Sequence, residues 1–127
     1  VEIRTVLVAD DDPAVRRIAE LSLARVGGFR VVLAATGAEA LAVAARELPD
    51  VIVLDVMMGE MDGVATLSAL RGHEVTRGIP VVFMTARALD VEVAHLLGLG
   101  ASGVIRKPFD PMKLPAELRR ITGAGSA

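Results

Sequence analysis

The sequence contains no cysteine, no tryptophan and no tyrosine, and only three aromatic residues, all phenylalanine, among 127. Without cysteine there can be no disulfide and no thiolate-ligated metal site. With so few rings and 53% hydrophobic residues, the core has to be built from Val, Leu, Ile, Ala and Met. Long apolar runs are also missing. Charges interrupt every stretch well short of the roughly 20 residues a membrane-spanning helix needs, and the segment from Glu2 and Arg4 to Asp10 has no signal-peptide pattern. An excess of basic charge is absent as well, with 14 basic against 16 acidic residues and a net charge of −2. That argues against direct contact with nucleic acid, which normally needs a basic face. A soluble cytoplasmic domain is the expectation. The chain starts at Val1 with no initiator methionine, as an excised domain would.

What is present is an alternation of strand and helix signals, repeated five times. Val6–Ala9 is a short apolar run closed by Asp10, Asp11 and Asp12, as expected of a strand buried on both faces. Asp12 before Pro13 is an acidic cap with proline at the first helical position. Val15, Ile18, Ala19, Ser22 and Val26 follow at helical spacing, until Gly27 and Gly28. A second strand covers about Arg30–Ala34. Thr36 and Glu39 have capping-box spacing, and Ala40, Leu41, Ala44 and Leu48 continue that helix to Pro49. Val51–Leu54 is the third strand and ends at Asp55. Asp62 and Gly63 open a helix with Val64, Leu67 and Leu70 inward, ended by Gly72. Val81–Met84 is a fourth strand closed by Thr85, followed by a helix over about Asp90–Leu97. Gly103–Arg106 is a short fifth strand, and Lys107, Pro108 and Phe109 come next. Asp110 and Pro111 repeat the helix-start pattern, but Pro115 lacks the amide that should bond back to Pro111. The last helix therefore has a distorted first turn or starts near Pro115.

Strands alternating with helices of this length imply a parallel sheet covered on both sides, and five units cannot close an eight-stranded barrel. The expected fold is α/β, a doubly wound five-stranded parallel sheet of order 2-1-3-4-5, flavodoxin-like, with five helices on two faces. Ligands in such sheets gather beyond the carboxyl ends of the strands. The residues closing the strands there are Asp10 and Asp11, Asp55, Thr85 and Lys107. In this order the first and third strands are neighbours, so three carboxylates share a small volume and repel unless a cation is present. A hard divalent ion such as magnesium suits them, since it takes oxygen ligands and leaves positions for water or phosphate oxygens. Lys107 adds a fixed positive charge, and Thr85 a hydroxyl that can donate to an anion. Together these describe a phosphoryl site, with Asp55 as an acceptor able to form an acyl phosphate.

At this point the chain resembles a known family, the receiver domain of two-component response regulators. The resemblance rests on VLVADDDP at Val6–Pro13, VIVLDVMMGEMDG at Val51–Gly63, VVFMTA at Val81–Ala86 and GASGVIRKPF at Gly100–Phe109. It implies a receiver domain over residues 1–122, with 123–127 as a flexible tail or the start of a linker. It implies that Asp55 takes phosphate from a sensor histidine kinase or phosphotransfer protein and that partner affinity changes as a result. Asp11 and Asp55 would bind Mg²⁺ directly, Asp10 through water, and the Met57 backbone carbonyl would complete the protein ligands. Thr85 and Lys107 would contact the phosphoryl oxygens, and the Lys107–Pro108 peptide would be cis. Such a domain catalyses only its own phosphorylation and dephosphorylation. An output domain or partner would read the face formed by the fourth helix, fifth strand and fifth helix.

The chain departs from the family pattern in places. Val104 stands where an aromatic residue is usual, so output coupling needs backbone shifts of the fourth helix and fifth strand, or another side chain. Gly59 replaces a usual proline, which predicts a more mobile loop after Asp55. Met57 and Arg87 flank the site and are expected to modulate dephosphorylation by water. Ala101–Gly103 lacks the acids of a fourth-helix dimer face, which predicts a monomer or weak dimer, standing alone or attached to a hybrid kinase. Two alternatives are a magnesium-dependent phosphatase with an aspartyl-phosphate intermediate and an interaction domain that has lost phosphorylation. The first wants a second aspartate two residues after Asp55, where this chain has Met57, which cannot transfer protons. Asp12 and Asp62 are adequately explained as helix-start residues, and His73 and His95 lack partners for catalysis. Lys107 is one of only two lysines among the 14 basic residues, which suggests that lysine is specifically required there.

Overall fold

The computed structural model describes residues 2–123. Val1 and residues 124–127, most of the expected tail, lie outside the described residues. Five strands, β1 (Thr5–Ala9), β2 (Arg30–Ala34), β3 (Val51–Asp55), β4 (Val81–Thr85) and β5 (Gly103–Arg106), form one parallel sheet in the order β2-β1-β3-β4-β5. Five helices connect or follow them: α1 (Pro13–Leu21), α2 (Gly37–Glu47), α3 (Gly63–Arg71), α4 (Asp90–Gly98) and α5 (Leu114–Thr122). This is the doubly wound arrangement expected from the alternation of elements.

Successive strand residues point to opposite faces, and two core clusters follow from that. On one face Leu7, Ala9, Ile52, Leu54, Val81 and Phe83 pack with Ala40, Val43 and Ala44 of α2, Leu67 and Leu70 of α3 and Leu96 of α4. On the other, Val6, Val8, Val51, Val53, Val82 and Met84 pack with Ala19 of α1, Leu23, Phe29 and Leu114 and Leu118 of α5. All five residues of β3 and of β4 are buried. Each such Val, Leu or Ile contributes about 1.5–3 kcal/mol, so the centre of the sheet is the rigid base on which the loops stand.

The structure corrects the helical details. Beyond Leu21 the first helix widens into a π-helical turn, Ser22–Val26, with Gly27 N–H donating to Ser22 O five residues back at 3.1 Å. Leu23, four residues after the buried Ala19, enters the core, while Ile18 and Val26, read at the same helical spacing, are exposed. Leu48, also expected on an inward stripe, is exposed and left-handed at φ 47. Pro49 follows it, and a residue before proline is disfavoured in the right-handed helical region. Of the two possibilities for the last helix, the later start holds. Residues 111–113 form a turn and α5 begins at Leu114 with Pro115 in its first turn, where a missing amide costs no helical bond.

Candidate functional site

Strand register brings the acids together. Ala9 of β1 is level with Leu54 of β3, so the next residues, Asp10 and Asp55, leave the sheet side by side. Asp10 is fully buried, Asp55 is 4% exposed and Asp11 is exposed. One carboxylate oxygen from each of Asp10, Asp11 and Asp55 lies within 4.8 Å of the others. On the far side of β3, Asp55 is level with Met84, and Thr85 ends β4 opposite Arg106. Lys107 N–H donates to Thr85 O at 2.9 Å, which continues the ladder one step and turns the lysine into the crevice. Its Nζ reaches Asp10 Oδ2 at 2.7 Å and Asp55 Oδ1 at 3.2 Å. The next peptide, Lys107–Pro108, is cis.

Electrostatics make the pocket uneven. Burial, then the charge of Asp10, pushes the Asp55 carboxyl group above the usual carboxylate range, against the pull of Lys107 and a weak bond from Met57 N–H. Burial alone would lower the Lys107 ammonium. The hydrogen bond to Asp10 and the charges of Asp10 and Asp55 outweigh it and hold the group above the usual lysine range. One ammonium therefore faces three carboxylates, and the donor set is all hard oxygen, one member of it open to solvent. That set fits a divalent cation of the magnesium type, which accepts few carboxylates and keeps water.

Two neighbouring features hold the frame. Gly63 N–H donates to Val56 O at 2.9 Å, and a Cβ on Gly63 would collide with the Asp55 carbonyl oxygen and come within 2.9 Å of Val56 Cα. Glycine there lets the start of α3 close directly on the end of β3. Asp62 caps α3 through Ala65 N–H at 2.8 Å and Asp12 caps α1 through Ala14 N–H at 2.9 Å, so both acids serve helix starts. Glu39 N–H donates to Thr36 Oγ1 at 3.0 Å, while the Glu39 carboxylate reaches Ala35 N–H at 3.1 Å, one residue before the position expected of a capping box.

Thr85 is placed at the crevice, but its hydroxyl is engaged elsewhere. It accepts from Arg87 N–H at 3.0 Å and donates to Arg87 O at 3.2 Å. Among the described residues the Thr85 hydroxyl makes no hydrogen bond to Asp55 or Lys107. Met57 N–H lies 3.4 Å from Asp55 Oδ1, and the Met57 side chain is 71% exposed. Thr85 and Met57 also border a cavity of about 520 Å³ lined by Val56, Val64, Val91 and Leu96. Spacing gave no signal for Gly63 as a contact residue of Asp55, nor for Arg16, whose Nη1 donates to Asp10 O at 2.7 Å.

Comparison with known proteins agrees with the fold. The family model described as response regulator receiver domain matches residues 6–119. The response regulator PleD of Caulobacter vibrioides is 44% identical over 119 residues, covering 92% of this chain and 26% of that protein. The probable transcriptional regulator ycf27 of Cyanophora paradoxa is 38% identical over 118 residues, covering 93% of this chain and 48% of that protein. The structure of Vibrio cholerae chemotaxis protein CheY4 superposes with a TM-score of 0.86 at 32% identity, covering 94% of this chain and 98% of that one. The chain spans about half the length, or less, of the curated relatives it matches. With this fold, these strand-end residues and a family match over nearly its whole length, the chain belongs to the response regulator receiver domains of two-component signalling.

Proposed function

We propose that Asp55 is the phosphoacceptor of this receiver domain and that it takes its phosphoryl group from a sensor histidine kinase or phosphotransfer protein. One observation carries this: Lys107 Nζ bridges Asp10 and Asp55 at the edge where Asp11 joins them. A carboxylate oxygen of Asp55 forms the new bond to phosphorus as the donor's P–N bond breaks and the leaving nitrogen takes a proton. Asp11, Asp55 and the Met57 backbone carbonyl would hold Mg²⁺ directly and Asp10 through water, and the ion, when bound, would neutralise charge on the transferring group. Lys107 neutralises phosphoryl oxygens from the opposite side.

Thr85 is the relay. Turning its hydroxyl toward a phosphoryl oxygen means releasing the Arg87 carbonyl it now bonds, and that frees the loop between β4 and α4. The cavity under α4 leaves room for this shift, so the α4-β5-α5 face changes shape without an aromatic residue at Val104. That face is where an output domain or partner docks. Exposed Ile18 and half-buried Phe109, which line a hollow together with Lys107, offer apolar contact for the donor beside the crevice. The domain works as a monomer or weak dimer in the cytoplasm. It catalyses only its own phosphorylation and dephosphorylation and has no direct nucleic-acid partner. Among the described residues no helix is long and apolar enough to cross a membrane.

Incubation with Mg²⁺ and acetyl phosphate or phosphoramidate should add one phosphoryl group to the intact mass, and Asp55→Asn should remove the addition. An unchanged mass for the folded wild type overturns the assignment.

A further inference from the structure

Every polar atom of Asp10 is occupied. Its N–H donates to Ala34 O at 3.1 Å, Oδ1 accepts from Asp12 N–H at 2.9 Å, and Oδ2 accepts from Lys107 Nζ at 2.7 Å. The remaining atom, the carbonyl oxygen, accepts from Arg16 Nη1 at 2.7 Å. That carbonyl belongs to the peptide joining Asp10 to Asp11, so the bond fixes the plane on which the exposed Asp11 carboxylate stands. The bonds with Ala34 and Lys107 hold Asp10 itself, and the bond from Asp12 N–H closes the turn behind Asp11. Arg16 is the side chain that fixes the peptide between the buried acid and the open one.

The position of Arg16 is unusual for an arginine. It lies in the first turn of α1, with its own N–H bonded to Asp12 O at 3.0 Å. Cations are unfavourable at helix N-termini because the helix dipole is positive there. Arg17, one residue on, points outward and pairs with Glu20 at 3.0 Å. Arg16 has no carboxylate partner within ion-pair distance among the described residues, and the residue is half-buried with its Nη1 on the Asp10 carbonyl.

We propose that Arg16 is a positioning residue for the metal-binding acids: its guanidinium holds the Asp10–Asp11 peptide so that Asp11 faces Asp55. This rests on the assignment of Asp10, Asp11 and Asp55 as magnesium ligands. Group-specific partners behind metal ligands typically contribute about 10–100-fold to metal affinity, and a solvent-edged site such as this belongs at the low end.

The test compares wild type, Arg16→Met and Arg16→Lys, where methionine keeps the aliphatic packing and lysine keeps one donor. Calorimetric titration with Mg²⁺ should show about tenfold weaker binding for Arg16→Met, with most of the affinity recovered in Arg16→Lys. In the metal-free protein the amide nitrogen of Asp11, which shares the peptide with the bonded carbonyl, should shift in the NMR spectrum of Arg16→Met while β4 and β5 amides stay in place. Unchanged Mg²⁺ affinity in Arg16→Met, beside a wild type that binds, overturns the role of Arg16 alone. An affinity loss that follows a fall in metal-free stability, without rescue by lysine, also overturns it. A folded wild type that binds no Mg²⁺ overturns the ligand assignment and the Arg16 proposal together.

Discussion

Replacing Lys107 with methionine puts opposite demands on the fold and on the metal site. The ammonium lies 2.7 Å from Asp10 Oδ2 and 3.2 Å from Asp55 Oδ1. At an effective dielectric constant of about 20, those separations correspond to gross attractions of roughly 6 and 5 kcal/mol. Desolvation of the three groups cancels most of that. Removing one partner of a buried pair costs about 3–5 kcal/mol. The Lys107 side chain keeps 20% of its exposure, and water screening lowers the expected loss to about 2–3 kcal/mol. The same deletion strips the Lys107 ammonium from a pocket of three carboxylates, so a divalent cation should bind more tightly, by about tenfold or 1.4 kcal/mol. Urea denaturation in chelator should therefore show a stability deficit of about 2–3 kcal/mol for Lys107→Met. In saturating Mg²⁺ the deficit should shrink by about 1.4 kcal/mol, because tighter binding to the native state is linked to stability. Phosphorylation should be lost although metal binding improves. Equal deficits with and without Mg²⁺, or no destabilisation in chelator, would refute the idea that lysine and metal neutralise the same acids.

Asp55→Asn should be more stable than wild type in chelator at neutral pH. The folded-state pKa of Asp55 is raised by burial and by Asp10, so the native state holds its proton to higher pH than the unfolded chain and stability falls as pH rises through that interval. Denaturation measured from mildly acidic to neutral pH should show the advantage of asparagine growing with pH and levelling off once Asp55 is ionised; a wild type more stable than the variant at neutral pH would contradict this. Gly63→Ala should cost about 1–3 kcal/mol by overpacking, since its Cβ meets the Asp55 backbone. The loss should appear in thermal unfolding together with slower phosphorylation from phosphoramidate, and a variant matching wild type in both would show that the close approach does not position Asp55.

Much of this architecture could be read before any coordinates. Val51–Asp55 and Val81–Thr85 are buried on both faces, so they read as continuous apolar runs with one polar residue at the end. Parallel order then sends those ends to one edge, which is why Asp10, Asp55 and Lys107 meet. Other details were not legible because they depend on packing rather than on pattern. The π-helical turn at Ser22–Val26 hides in a sequence whose spacing suits an ordinary helix, and within it Leu23, not Val26, is buried. Leu48 looked like part of an apolar stripe, although Pro49 had already removed it from the helix. Thr85 was correctly placed at the edge, but the bonds turning its hydroxyl to Arg87 involve a backbone carbonyl, which leaves no mark in side-chain spacing. The same holds for Arg16 on the carbonyl of Asp10 and for Gly63 against the carbonyl of Asp55.

The central claim is that acids from β1 and β3 and the ammonium from β5 act as one metal-assisted phosphoacceptor. The most direct measurement is the rate of phosphoryl transfer from phosphoramidate as Mg²⁺ is titrated, with the modified residue located by peptide mass. The expected result is a rate that saturates with Mg²⁺ and a phosphoryl group found on Asp55. Transfer that proceeds equally well in chelator, or a phosphoryl group on any other residue, would contradict it.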